Sequence, residues 1–193
     1  YTRHDAIPHY CTDKNKLELY SIVETQSNAI IHLGEYSRQE FARIYPENTA
    51  RHFVIPHHIY DSCGYAFPSK LTSRNKLGLP TDKFIILTFG SYRNEEEQRL
   101  VVDAFEHLPM SDKFLLAPGF YNCFTNRKTP IQNLLRYRTQ KKKFRLDTNR
   151  ALQLHEKISN TELPYYFSAA DIVLIQRKEI LNSGNVPMAL FFH

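Results

Sequence analysis

Apolar residues along this chain gather into short unbroken runs, and most of these runs are followed by a stretch with helical spacing. The clearest run is KFIILTFG (83–90), which has no polar–apolar alternation through its centre and so predicts a strand buried on both faces. NAIIHL (28–33), HFVIP (52–56, stopped by Pro56), KFLLAPG (113–119) and DIVLI (171–175) predict further strands, the last one also buried. Between them, SRQEFARIY predicts a helix with Ser37 as its N-cap and Glu40 three residues on. EEEQRLVVDAFEHL puts Val101, Ala104, Phe105 and Leu108 on one helical face, and its acidic start suits the positive end of a helix dipole. ELPYYFSAA predicts another helix. FPSKLTSRNKLGLPTDK predicts a hinge and a helix that stops at Gly78, with Pro80 beyond. A last apolar run begins behind Pro187. The polar stretch 120–154, with its KKKFR run, assigns no element. This strand–helix rhythm predicts an α/β fold with a mainly parallel sheet, whose ligands lie beyond the carboxyl ends of the strands.

Composition narrows the picture. The 193 residues suffice for one generous domain or one and a half smaller ones, and 42% hydrophobic residues with 13% aromatics support a packed core. No apolar run approaches the ~20 residues of a membrane span. YTRHDAIPHY has no leader pattern. The missing initial Met and the close in MALFFH predict a piece of a longer chain, with His193 a residue of a tag. Three widely spaced cysteines, Cys11, Cys63 and Cys123, support neither a disulfide framework nor a zinc site, and point to a reducing cytoplasm. A net charge of +5 suits an anionic partner: a nucleotide, a nucleic acid or an anionic membrane.

Two elbows carry candidate chemistry. In LTFGSYRN a strand ends at Gly90 and Ser91, Arg93 follows, and a helix opens soon after. Glycine permits close approach, a helix N-terminus offers N–H donors, and arginine grips phosphate bidentately; the alternative is an ordinary turn with a solvated arginine. KEILNSGN is a second elbow of this kind, in which Ser183 caps the next helix and Gly184 admits a ligand to the backbone. Glu179 either meets sugar hydroxyls or pairs with Arg177 or Lys178. His4, Asp5 and His9 are a base and its partner or plain turn residues, whereas His57 and His58 lack a third ligand for a metal. KKKFR reads as a solvated face, with an acidic membrane or a nucleic acid as the alternative partner.

In order and spacing these segments resemble glycosyltransferases of the GT-B fold, specifically the retaining family 4. RHDAIPHY is similar to that family's His-Asp segment, HFVIPHHIY to its crossover between domains, RNKLGLPTDKFIILTFGSYRNEEEQRLVVDAFEHL to its first donor-domain helix, strand and helix, and ISNTELPYYFSAADIVLIQRKEILNSGNVPMALFF to its donor-site signature. The resemblance implies a Rossmann-like parallel sheet forming the donor domain over residues 59–193, incomplete at its C-terminus. Residues 1–58 would be the tail end of a second Rossmann-like domain, the acceptor-binding one, with the crossover. It further implies that Gly90, Ser91, Arg93, Asn182, Ser183 and Gly184 hold the diphosphate of a UDP- or GDP-sugar, and that Ile158 binds the base through its main chain. His4 and Glu179 would be catalytic. The acceptor would be a glycan or lipid-linked, in surface polysaccharide biosynthesis, and the setting the cytoplasm or the inner face of a membrane, with peripheral contact to the bilayer. No cofactor, no obligatory metal and no nucleic acid are implied, and this chain alone would not turn over. Two departures stand out: Glu96 replaces a lysine usual in the family, and Leu181 and Ala189 occupy the places of a glutamate pair. A non-catalytic Rossmann-like nucleotide-binding module is the competing reading.

Overall fold

The computed structural model describes residues 2–3, 13–58, 60, 64–121, 130–155, 158–177 and 183–192. Among them the chain forms two compact units, residues 1–59 with 179–187, and residues 60–178 with 188–193.

The first unit contains β1 (Thr2–Arg3), α1 (Lys14–Gln26), β2 (Ala29–His32), α2 (Glu35–Ile44) and β3 (Arg51–Val54). Its strands form one parallel sheet in the order β1-β2-β3, with Ile31 opposite Thr2 on one side and Phe53 on the other. Ile30 and Phe41, both buried, pack where α2 covers the sheet. The helix starts before the expected serine: Gly34 occupies the N-cap position and Glu35 opens the first turn, while Ser37 is buried inside it. With its hydroxyl in the core, Ser37 does not cap.

The second unit holds α3 (Lys70–Leu77), β4 (Phe84–Thr88), α4 (Glu95–His107), β5 (Lys113–Ala117), α5 (Pro130–Phe144), β6 (Ala151–Gln153), α6 (Leu163–Ala169) and β7 (Ile172–Leu174). Its parallel sheet runs β6-β5-β4-β7. β4 and β5 are central, and their apolar runs are buried as the lack of alternation predicts; Ile85, Leu87, Leu115 and Leu116 are fully enclosed. One face packs on Leu163, Phe167 and Phe192, the last from α7 (Asn185–Phe192); the other packs on Val101, Phe105, Phe120 and Phe144. β7 departs from expectation: among the described residues it pairs only with β4, and Ile172 is exposed, as suits a strand with a partner on one side. Gly78 ends α3 in the left-handed conformation (φ 63°), as its place before Pro80 predicts. The polar stretch without a predicted element contains α5 and β6.

Arg74 and Asp171 tie the helices to the sheet. The buried guanidinium donates to the carbonyls of Ala169, Thr81 and Lys83, and to Asp171 Oδ2 at 2.6 Å. The same oxygen accepts from the Ile85 N–H, so the carboxylate fixes the base of β4.

Candidate functional site

From β4 the chain first adds β5 and β6 on one side, then returns to add β7 on the other. The strand order therefore reverses between β4 and β7, and a crevice opens beyond the carboxyl ends of such a pair. The residues that follow these two strands are Phe89–Asn94 and Ile175–Arg177.

The turn after β4 is held open by its own sequence. Gly90 adopts φ 96°, a conformation that side chains disfavour. Two residues on, Tyr92 turns into the core: its hydroxyl bonds to Thr88 Oγ1 at 2.6 Å and its ring meets Phe120 edge-on at 5.0 Å. Anchoring Tyr92 leaves Ser91 exposed and Arg93 half-buried at the rim. Asn94 then caps α4, its Oδ1 accepting the Glu97 N–H at 3.0 Å.

Glu97 and Arg177 complete the turn. The buried Glu97 carboxylate accepts the Arg93 backbone N–H at 2.7 Å and Arg177 Nη1 at 2.5 Å through the same oxygen. Arg177 Nη2 donates to the Ser91 carbonyl at 2.6 Å. Beside it, Gln176 Nε2 donates to the Phe89 carbonyl at 3.2 Å, while its Oε1 is buried without a partner. Carbonyls of the turn are thus taken up from the β7 side. Burial pulls the Arg177 guanidinium below its ordinary pKa, Glu97 opposes that shift, and the neighbouring Arg93 cation adds to it. Arginine nonetheless stays charged in a protein. Among the described residues none accepts a hydrogen bond from the Arg93 guanidinium. The turn therefore presents one engaged and one uncommitted guanidinium at the start of a helix, an arrangement that attracts an anion with several acceptor oxygens.

The other expected site residues are placed as follows. Ile158, half-buried between β6 and α6, packs against the apolar core, and its main-chain groups find no partner among the described residues. Ser183 Oγ accepts the Asn185 N–H at 3.3 Å at the start of α7, with Gly184 between them. Pro187 lies in the first turn of that helix, where a missing N–H costs nothing. Ser183 and Gly184 belong to the first unit, and Gly90, Ser91 and Arg93 to the second. His4, Glu179 and Asn182 lie outside the described residues, as do Asp5, His9 and the three cysteines. Among the described residues no group of His, Cys, Asp or Glu is placed to hold a metal, and no helix is long and apolar enough to cross a membrane.

Sequence reading missed Glu97 as a site residue and as a partner of Arg177; Glu179, offered as a partner for Arg177 or Lys178, lies outside the described residues. One signal for Glu97 was present: Asn94-x-x-Glu97 is a capping-box spacing, which marks Glu97 as a group that bonds backbone N–H. Here it takes the Arg93 N–H instead of that of the cap residue.

No protein-family model matches the chain, and no curated protein sequence matches it either. Solved structures do. Sucrose-phosphate synthase from Thermosynechococcus elongatus superposes with a TM-score of 0.69 at 17% identity, over 98% of this chain and 47% of that one. HepE from Anabaena, solved in complex with UDP and glucose, superposes with a TM-score of 0.67 at 17% identity, over 100% of this chain and 50% of that one. The chain has the Rossmann-like α/β fold, with parallel sheets, found in GT-B glycosyltransferases. It spans about half the length of each of these relatives, 47% and 50%.

Proposed function

We propose that this chain is the donor-binding part of a retaining glycosyltransferase similar to family 4, together with the end of its acceptor domain, divided at residues 58 and 59. The whole enzyme would move a sugar from a UDP- or GDP-sugar to a glycan or lipid-linked acceptor in surface polysaccharide biosynthesis. The observation that carries this reading is the uncommitted Arg93 guanidinium beside the held Arg177, where the strand order reverses between β4 and β7. The HepE likeness adds weight, since that protein was solved with UDP and glucose.

In this reading Gly90 lets the diphosphate approach the backbone, Ser91 and Arg93 bind its oxygens, and the N-terminus of α4 adds its dipole. Arg177, paired with Glu97, holds the turn that presents Arg93. Ile158 offers its main-chain groups to the base. Asn182, Ser183 and Gly184 are assigned to the diphosphate, and His4 and Glu179 to the reacting sugar, on the resemblance. As the bond from anomeric carbon to phosphate oxygen breaks, negative charge grows on the leaving diphosphate. Fixed guanidinium and N–H dipoles stabilise that charge more than the ground state. No metal is needed for this step.

Calorimetry with UDP-, GDP- and ADP-sugars tests the reading. One nucleotide class binds, and Arg93→Ala weakens it by ~1.5–3 kcal/mol. No sugar is transferred by this chain alone. Equal affinity for nucleotide with and without its sugar would favour the non-catalytic nucleotide-binding module, and sugar transfer by this chain would overturn the proposed division.

A further inference from the structure

Helix α5 carries its apolar residues on the wrong side for a core helix. Ile131, Leu134 and Leu135, spaced i, i+3, i+4, are 71%, 51% and 57% exposed. Its inner face is held instead by Phe144, by the buried Gln140, and by Tyr137, whose ring meets Tyr121 at 5.5 Å and His155 at 5.3 Å. Continuing the outer stripe by helical turns, the next positions are Arg138, Lys141 and Lys142, all exposed. The sequence of α5 contains Arg136, Arg138, Lys141, Lys142 and Lys143 and no acidic residue. Lys143 pairs with Glu95 on the flank, and Lys141 lies over Tyr137. Among the described residues no carboxylate pairs with Arg138, Lys141 or Lys142.

We propose that this face of α5 docks the protein on an anionic lipid surface. The stripe is divided lengthwise, with branched aliphatic side chains in its first half and cations in its second. A bilayer interface provides both complements, acyl chains for the three aliphatic groups and phosphate headgroups for the cations. A nucleic acid provides only the second, since its bases are bound by stacking on aromatic rings and none stands on this stripe. The cations near the helix C-terminus also lie at the negative end of the helix dipole, a favourable placement for positive charge. The proposal uses no residue of the nucleotide site, so the two stand or fall separately.

The test is co-sedimentation of the chain with vesicles of phosphatidylcholine alone and of phosphatidylcholine mixed with phosphatidylglycerol. Binding is expected only to the mixed vesicles, falling as salt rises. Arg138→Gln with Lys142→Gln lowers it by about fivefold per cation removed. Leu134→Ser with Leu135→Ser lowers it as well, while both variants keep the parental melting temperature and nucleotide affinity, because the altered side chains are exposed. Absence of binding to mixed vesicles overturns the proposal. So does binding that the leucine substitutions leave unchanged and that short single-stranded RNA displaces, since that pattern belongs to a polyanion site without a lipid-facing half.

Discussion

Arg177 reaches Glu97 at 2.5 Å across 80 residues of sequence, and both side chains are buried, with 8% and 5% exposed. This contact joins the end of β7 to the first turn of α4, and through the Arg93 N–H and the Ser91 carbonyl it fixes the intervening turn. Removing one partner leaves the other charge buried and alone. Arg177→Ala therefore costs about 3–5 kcal/mol in urea unfolding. Arg177→Lys recovers part of that loss, because a single ammonium keeps the charge but cannot span Glu97 and Ser91 as the guanidinium fork does. A loss for Arg177→Ala no larger than that of an exposed-arginine substitution such as Arg99→Ala would show that the pair is not closed in solution.

Two of the glycines at positive φ, Gly78 and Gly90, differ in cost. Gly90 lies at φ 96°, outside the narrow left-handed well, whereas Gly78 lies at φ 63°, inside it, with open space around the position of a Cβ. Gly90→Ala is expected to lower stability by about 1–3 kcal/mol. Gly78→Asn is expected to be cheaper, since asparagine enters the left-handed well more readily than other residues. Thermal melts of the two variants side by side decide this, and equal losses would contradict it.

How far the sequence could be read depended on which way each element faces. β4 and β5 were legible because they are central strands, buried on both sides, and nothing competes with an unbroken apolar run such as FIILT. Helices α1 and α5 were not. In α1 Leu17, Leu19, Tyr20, Ile22 and Val23 are exposed while Glu24 is buried, and in α5 the exposed Ile131, Leu134 and Leu135 lie opposite the buried Gln140. A reading that sends apolar residues inward finds no face in such a helix. β7 was overestimated for a related reason: DIVLI is as apolar as a central strand, but strand order, which the sequence does not state, puts it at an edge.

The site divides the same way. Gly90, Ser91 and Arg93 are neighbours in sequence, so strand, glycine and cation could be seen together. Glu97 looked like one of three acids in a helix start, and its burial depends on Arg177 arriving from β7. Arg177 itself was visible at the second elbow, but its partner lies 80 residues away, beyond the reach of any local pattern.

Asp171 links acid stability to the placement of β4. Burial alone would raise its pKa. The hydrogen bond from Lys70, the Ile85 N–H and the Arg74 charge outweigh burial and hold it below the usual 3.8. A depressed carboxylate stabilises the fold above its unfolded value, and that contribution is lost as pH falls below 3.8 toward the folded value. Asp171→Asn should therefore lower the urea midpoint by a constant amount at higher pH. The gap to the parent protein should close as pH drops through that window. A gap that persists undiminished in acid would assign the loss to packing and not to the charge.

His52 gives the first unit a milder sensitivity in a different window. Its Nδ1 lies 2.8 Å from Nε2 of the buried His32, and the two rings stack at 5.1 Å. Burial, and secondarily the Arg38 charge, hold the His52 pKa below its ordinary 6.5. The unfolded chain then takes up a proton more readily than the folded one. Stability from this group is complete above 6.5 and declines as pH falls from there to the folded value. Because the effect belongs to one unit, amide hydrogen exchange along β2 and β3 reads it better than a global melt. Protection there should fall as pH is lowered below 6.5, once the intrinsic exchange rate is divided out. Replacing His52 with Phe should remove that extra dependence while keeping an aromatic ring tilted against Phe41. Unchanged pH dependence in the His52→Phe protein would place the sensitivity elsewhere in the unit.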